Sequence, residues 1–195
     1  MRTVNLTRVR ERIVRMKKTV FTFGLIAGGI LSAMMAISML LQDRIGFEHG
    51  ETIGYSTMVA SFLLVYFGIR SYRDATGGAV GFGRAVAVGT LIVVAASACY
   101  VVTWEAIYFG GYGEEFSSKY MAHLVERERA KGLSQAQLDA KVAEFKKYAE
   151  YYKNPAINAA VTFLEPLPVG MLVALVSAGV LSRRRKRKEA EPTGA

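Results

Sequence analysis

The sequence predicts an all-α integral membrane protein: a bundle of four transmembrane helices with an extracytoplasmic helical hairpin between the third and fourth spans. Hydrophobic residues make up 52% of the 195 residues and are concentrated in four blocks. Each block approaches the roughly 20 residues that a helix needs to cross a bilayer. The Lys and Arg residues lie at the ends of these blocks, and one short arginine-bearing turn connects two of them. The predicted spans are residues 19–41, 53–69, 85–109 and 157–182.

Residues 1–18 form a basic segment that is predicted to be cytoplasmic. It contains seven Lys and Arg residues against one acid, Glu11. A basic helix lying on the inner leaflet is one interpretation. A dispensable extension with translation starting at Met16 is the other, and the residues do not separate the two. The first span follows, with Gly24, Gly28, Ser32 and Ala36 on one face that favours close approach of another helix.

The turn between the second and third spans sets the predicted orientation. It contains Arg70, Arg73 and Arg84 against Asp74 only, and a short loop with such an excess of cations is retained in the cytoplasm during insertion. Residues 42–52 have no such excess and are predicted to lie outside. The third span then ends with Trp104 and aromatic neighbours at the outer interface, where such side chains are enriched.

The segment 114–153 is predicted to be the outer helical hairpin. Its basic and acidic residues nearly cancel, and two apolar stripes with helical spacing are separated at Gly132. Ser134 and Gln137 predict a capping box at the start of the second helix. His123 is expected on the solvated side, and Asn154 with Pro155 is expected to end the hairpin.

The fourth span contains two prolines, Pro166 and Pro168, directly after Glu165. Proline removes a backbone donor and crowds the preceding turn, which predicts a break in the helix there. A basic cytoplasmic tail, residues 183–195, follows the span. Its first positions hold the cations Arg183, Arg184 and Arg185. Both termini are therefore predicted to be cytoplasmic, in the cell (inner or plasma) membrane, with anionic lipid headgroups as partners of these cations.

The composition argues against several function classes. The net charge of +9 comes from cations at segment ends, not from a basic groove interleaved with aromatics, so no nucleic acid is expected. The single cysteine, Cys99, lies in an apolar span and offers neither a disulfide nor a thiolate zinc site within one chain. No catalytic constellation accompanies the two histidines, so we expect no enzyme and no cofactor.

Two acidic residues in the spans, Glu105 and Glu165, are the candidate site residues, since ionisable groups within spans suggest function by default. One hypothesis places both carboxylates at the outer interface near Trp104, where they converge with His49 or Glu51 on a cation or small ligand. The alternative is that each acid caps a helix or pairs with a nearby cation.

The chain also resembles a family of bacterial membrane proteins, the domain of unknown function 4199 (DUF4199). The resemblance rests on residues 67–74, 78–89, 100–108 and 165–170, and extends from about Lys17 to Lys188. It implies a four-span bacterial membrane protein with a helical outer insertion. The family has no established catalytic residues that would transfer to this chain.

The resulting function hypothesis is a non-catalytic envelope or interaction component. Its small-residue faces and outer hairpin would recruit another membrane protein or a second copy in a homo-oligomer. The alternative is a small transporter, or a cation- or ligand-binding membrane protein that uses Glu105 and Glu165.

Overall fold

Helices account for all the secondary structure in the described part of the chain. The computed structural model describes residues 6–190, with side chains for residues 9–182, and has no strand in that range. The predictions made for residues 1–5 and for the side chains of Arg183, Arg184 and Arg185 lie outside the described part. The helices are α1 (Leu6–Leu40), α2 (Gln42–Ile45), α3 (Phe47–Ala75), α4 (Phe82–Ile107), α5 (Gly113–Ala130), α6 (Gln135–Tyr152), α7 (Pro155–Leu164) and α8 (Leu167–Ala190), with a π-helical turn (Tyr108–Tyr112) between α4 and α5.

Four helical stretches are long and apolar enough to cross a membrane. They are Val9–Leu40, Phe47–Ala75, Phe82–Ala130 and Pro155–Ser182. α1 and α8 each pack against both α3 and α4, so α3 and α4 form the middle of the bundle. The prediction of an all-helical chain with four apolar helices is confirmed. We call the end with the α3–α4 turn the proximal end, and the end with α2, α5 and α6 the distal end.

The basic N-terminal segment is continuous with the first span. α1 runs without interruption from Leu6 to Leu40, which at 1.5 Å per residue is about 52 Å. The described part of the segment is therefore not a separate surface helix. At its proximal end, Arg15 donates a hydrogen bond to the carbonyl oxygen of Ala75 at 2.8 Å, which ties α1 to the last residue of α3.

The α3–α4 turn is built on glycine. Gly77 and Gly78 have φ angles of 103° and 75°, in the left-handed region that costs little only for glycine. Of the predicted anchors beside the turn, Arg73 is largely buried and contacts Asp74 at 2.7 Å. Arg70 lies 3.7 Å from the same carboxylate, whereas Arg84 is exposed.

Glycines hold the spans in close contact. A Cβ atom at Gly24 would lie 2.6 Å from Ala95 Cβ, and one at Gly28 would lie 2.6 Å from Cys99 Cβ. These distances are shorter than van der Waals contact, so α1 approaches α4 closely only because the glycines lack side chains. The small-residue face of the first span therefore packs within the chain.

The fourth span is broken where the prolines predict. α7 ends at Leu164 and α8 begins at Leu167. α8 packs against α3 and α4, whereas α7 packs against α4 and α6. Here Gly170 allows the close approach, since a Cβ atom on it would lie 2.5 Å from Val93 Cγ1. The break thus sends the two parts of one span to different neighbours.

Local sequence signals explain how α5, α6 and α7 begin and end. Gly132, with a φ angle of 75°, follows α5, in agreement with its predicted role as a stop. Ser134 accepts from the Gln137 backbone, and both halves of the predicted capping box are present. Asn154 ends one helix and starts the next, because its side chain accepts from the first backbone donors of α7.

Candidate functional site

A cavity of about 730 Å³ lies at the distal end of the bundle. Its walls are the distal halves of α1, α3 and α4 together with the α7–α8 junction, and α5 and α6 cover it. Its volume lies within the roughly 300–1,000 Å³ that is typical of small-molecule sites. The distal half of the molecule therefore has room for a ligand.

Methionine and tyrosine dominate the lining of the cavity. The methionines are Met34, Met35, Met39, Met58 and Met121. The tyrosines are Tyr55, Tyr100, Tyr120, Tyr148 and Tyr152. Methionine is flexible and polarizable and adapts to irregular apolar shapes, while tyrosine combines an aromatic face with a polar hydroxyl. Such walls suit a ligand that is mainly apolar and carries some polar atoms.

A buried polar network fixes the back of the cavity. Trp104 Nε1 donates to Asn158 Oδ1 at 2.7 Å, and Asn158 is fully buried. Asn158 Nδ2 in turn donates to the Tyr152 carbonyl at 3.1 Å. Thr162 donates to the same Asn158 oxygen at 3.3 Å. Because buried polar groups are costly when unpaired, this network holds the start of α7 against α4 and the end of α6.

Tyr152 completes the network through its hydroxyl, which lies 3.2 Å from Thr162 Oγ1. Burial raises the pKa of the Tyr152 phenol above its ordinary value, since loss of solvation disfavours the charged form. The phenol therefore remains protonated through the physiological range, and the hydrogen bond does not depend on pH there.

Aromatic contacts hold α5 over the cavity. The Phe116 ring packs edge-on against Trp104 at 5.2 Å and parallel to Tyr120 at 5.7 Å. Phe47, at the start of α3, stacks on His123 with ring centroids 5.1 Å apart. The prediction that His123 lies on the solvated side is wrong. Its ring is partly buried against Phe47, and Nε2 has no hydrogen-bond partner among the described residues.

Ion pairs also connect α5 to the rest of the distal end. Lys119 contacts Asp43 of α2 at 2.7 Å. Arg127 lies 3.7 Å from Glu51 of α3, and both of these side chains line the cavity. Exposed pairs of this kind stabilise by at most about 1 kcal/mol. Two acids line the cavity. Glu51 is paired with Arg127, whereas Glu165 has no ion pair among the described residues.

The predicted site residues divide into two groups. Glu165 and Trp104 line the cavity, whereas Glu105 and His49 do not. Tyr100 donates a hydrogen bond to Glu165 at 3.3 Å. Asn158 accepts from Trp104, the neighbour of Glu105, and Glu165 follows Asn158 by seven residues, which is about 10 Å along a helix. The two acids are therefore at different depths, and the structure does not bring them together as predicted.

The two residues outside the cavity have different surroundings. His49 is exposed on the first turns of α3. Glu105 is partly buried, and its Oε1 atom has no hydrogen-bond partner among the described residues. Glu51, which the hypothesis offered beside His49 as an additional residue, does line the cavity, together with Glu165.

The cavity also contains a polar donor that sequence reasoning missed. Gln42 lines it, and the buried Gln42 Nε2 has no partner among the described residues. Within residues 9–182, no group of three His, Cys, Asp or Glu side chains is placed to hold a metal ion. The chemistry that the lining offers is thus the Glu51–Arg127 ion pair, the Glu165 carboxylate, tyrosine hydroxyls, an amide donor and thioethers.

The comparison with family models agrees with this architecture. The model described as "Protein of unknown function (DUF4199)" matches residues 22–183. The chain belongs to the DUF4199 family. No curated protein and no solved structure matches it.

The match of this DUF4199 protein includes the whole site. Every residue that lines the distal cavity, from Leu31 to Glu165, lies within residues 22–183. The basic N-terminal segment, residues 1–18, lies outside the match, as does the tail after Arg183. The predicted family resemblance is confirmed, and it covers the four spans and the helices between them.

Proposed function

We propose that this DUF4199 protein is a non-enzymatic binding protein of the cell membrane that holds a small amphiphilic ligand in the distal cavity. The observation that carries the proposal is the cavity itself, about 730 Å³ in volume. A large concave pocket with a mainly apolar lining and a few converging polar groups is the usual form of a small-molecule site. The distal cavity has this form, which favours an occupant.

The lining supports an amphiphilic occupant. The methionine and tyrosine side chains supply apolar area, while Gln42 Nε2 and Glu165 supply polar atoms without strong partners among the described residues. Sites for small molecules combine these two features, since apolar walls give affinity and a few polar groups fix orientation.

Binding without chemistry is the interpretation that the lining favours. Histidine is the commonest general base, and neither histidine lines the cavity. The interaction hypothesis has less support. The small-residue face of the first span packs against α4 within the same chain, through Gly24 and Gly28, so a partner or second copy would need another surface.

Binding can be measured with the single tryptophan, because Trp104 lines the cavity. The probe is N-phenyl-1-naphthylamine, an uncharged amphiphile that absorbs where tryptophan emits. We expect saturable quenching of Trp104 emission in the detergent-purified protein. Gly54→Phe should weaken this binding by about tenfold or more, because Gly54 lines the cavity and has open space where a side chain would begin.

Gly29→Phe is the matched control for this experiment. Gly29 also has open space at its Cβ position, but it does not line the cavity. The Trp104 emission of the Gly29→Phe variant should be quenched as in the unmodified protein. Equal, non-saturable quenching in all three proteins would mean that the probe only enters the micelle, and it would overturn the proposal.

We further propose that the proximal end is cytoplasmic and that α5 and α6 form the extracytoplasmic hairpin of a bacterial inner-membrane protein. In support, the proximal segments contain seven, three and six cations, whereas the distal segments contain one and eight, the eight being nearly balanced by seven acids. In a Cys99→Ala background, a membrane-impermeant maleimide applied to intact cells should label Ala122→Cys and not Ala79→Cys. The reverse pattern would contradict this orientation.

A further inference from the structure

The exposed residues of the cavity lining identify its mouth. Tyr55 of α3 and Tyr148 of α6 are 57% and 63% exposed although they line the cavity. Glu165, at the α7–α8 junction, is also exposed. Leu31 and Met58, in contrast, are buried and belong to the floor. Glu51 of α3 and Arg127 of α5 are exposed lining residues as well. The cavity therefore opens along α3, towards α5 and α6 at its polar end and towards the α7–α8 junction at the other.

The break in the fourth span explains why the opening is there. α8 packs against α3, but within the described residues α7 has no packed interface with α3 and lies against α4 and α6 instead. The space that a straight helix would fill on this side remains open. On α3, Val59 and Leu63 follow the lining residue Tyr55 at intervals of four residues, and both are exposed. On α7, Val161 and Leu164, which precede Glu165, are also exposed.

These exposed apolar side chains indicate that the mouth borders the lipid phase. Leu63 and Leu164 are 53% and 60% exposed, and both lie in helical stretches that are apolar enough to cross a membrane. Large exposed apolar side chains in such stretches face lipid. A ligand that dissolves in the membrane can therefore reach the mouth, whereas the Glu51–Arg127 pair lies on the polar side of the same lining.

The charges of the lining side chains indicate which charge the ligand carries. The Glu51 carboxylate is compensated by Arg127, but Glu165 has no cationic partner among residues 9–182 and only the Tyr100 hydroxyl as a hydrogen-bond donor. A carboxylate beside apolar walls is costly unless an opposite charge approaches it. The tyrosine rings around it add favourable faces for a cation.

We propose that the distal cavity takes a cationic amphiphile, with its charged group at Glu165 and its apolar body between the methionine and tyrosine side chains. This assignment of ligand class rests on the proposed function. It deepens that function by naming Glu165 as the counter-ion and the lipid-bordering mouth as the entrance. A drug-sized organic cation fits the volume of the cavity.

The test uses two ions of the same shape and opposite charge, tetraphenylphosphonium and tetraphenylborate. Their dissociation constants are measured by isothermal titration calorimetry with the full-length protein in detergent. We expect the phosphonium to bind at least about tenfold more tightly than the borate, because only the cation gains the attraction of the Glu165 carboxylate. In Glu165→Gln that preference should disappear.

Two controls separate the possible failures. Glu48→Gln removes one negative charge from an exposed distal residue outside the cavity, and it should retain the preference for the cation. Each variant is also titrated with N-phenyl-1-naphthylamine, which carries no charge and should still bind to Glu165→Gln. If the naphthylamine binds normally but the unmodified protein has no preference for the cation, the ligand class is wrong. If the preference persists in Glu165→Gln, Glu165 is not the counter-ion, and either result overturns the proposal. If the naphthylamine itself does not bind to the unmodified protein, the proposed function is wrong.

Discussion

The proximal and distal halves of the bundle use the same four spans in opposite ways. In the proximal and middle part, glycines bring helices so close that a Cβ atom at Gly89 would lie 2.9 Å from that of Ala174. Ile69, Val88 and Ile92 are fully buried there. In the distal part the helices diverge around a cavity of about 730 Å³. The helices of one half are close-packed, whereas those of the other half surround an open cavity.

The difference shows how one small helical bundle can combine a rigid scaffold with a cavity of ligand size. The break at Glu165 divides the fourth span, so that α8 completes the packed half while α7 and the helices before it surround the cavity. The buried Asn158 network then fixes α7 to α4 in addition to their packing. Rigid elements beside a cavity keep its polar groups in place for a ligand.

The largest expected effect in this comparison is on stability in the packed half. Gly28→Val places a Cβ atom 2.6 Å from Cys99 Cβ and 3.1 Å from Ala96 Cα, atoms that no side-chain rotation can move away. We expect a loss of about 3 kcal/mol in the free energy of unfolding, at the upper end of overpacking costs. Unfolding by SDS titration in mixed micelles measures it.

The adjacent residue provides the control for that prediction. Gly29→Val meets open space and should change the free energy of unfolding by less than about 0.5 kcal/mol, since valine is no worse than glycine in a helix. Similar losses for both valine variants would mean that α1 does not approach α4 through Gly28, and the packed half would not be as described.

The smallest expected effect on the free energy of unfolding is that of a glycine-to-valine substitution in the distal half. Gly54 lies within α3, and a Cβ atom there meets nothing within 4 Å. Gly54→Val should therefore leave the free energy of unfolding within about 0.5 kcal/mol of the unmodified protein. A loss as large as that expected for Gly28→Val would show that the cavity is filled by protein and would remove the contrast between the halves.

The architecture was predictable from the sequence because its causes are local. Uncharged blocks of sufficient length predict the spans, glycines after the arginines predict the α3–α4 turn, and the prolines after Glu165 predict the break. Ser134 with Gln137 predicts a helix start, which the structure confirms. Each of these signals depends on neighbouring residues alone, so one sequence suffices to recognise it.

The cavity was not predictable, because it depends on how distant segments diverge. Met34 and Met58 look like ordinary residues of apolar spans, and only the packed helices place them on one lining with Tyr148 of α6. The convergence of Glu105 with Glu165 failed for the same reason, since the depth of Glu165 is set by the alignment of α7 with α4. One signal was available: Asn158 is a polar residue in an apolar stretch, and such a residue seeks a buried partner.

Thiol reactivity tests the contrast between the halves most directly, because it needs no ligand. In a Cys99→Ala background, single cysteines replace Gly54, which lines the cavity, and Ser61, which lies on the same helix and is 1% exposed. The rate of modification by N-ethylmaleimide is measured in detergent by mass spectrometry. We predict that Gly54→Cys reacts at least about tenfold faster than Ser61→Cys, since reactivity requires access to the thiolate. Equal protection of the two thiols would contradict an open distal cavity beside a close-packed scaffold.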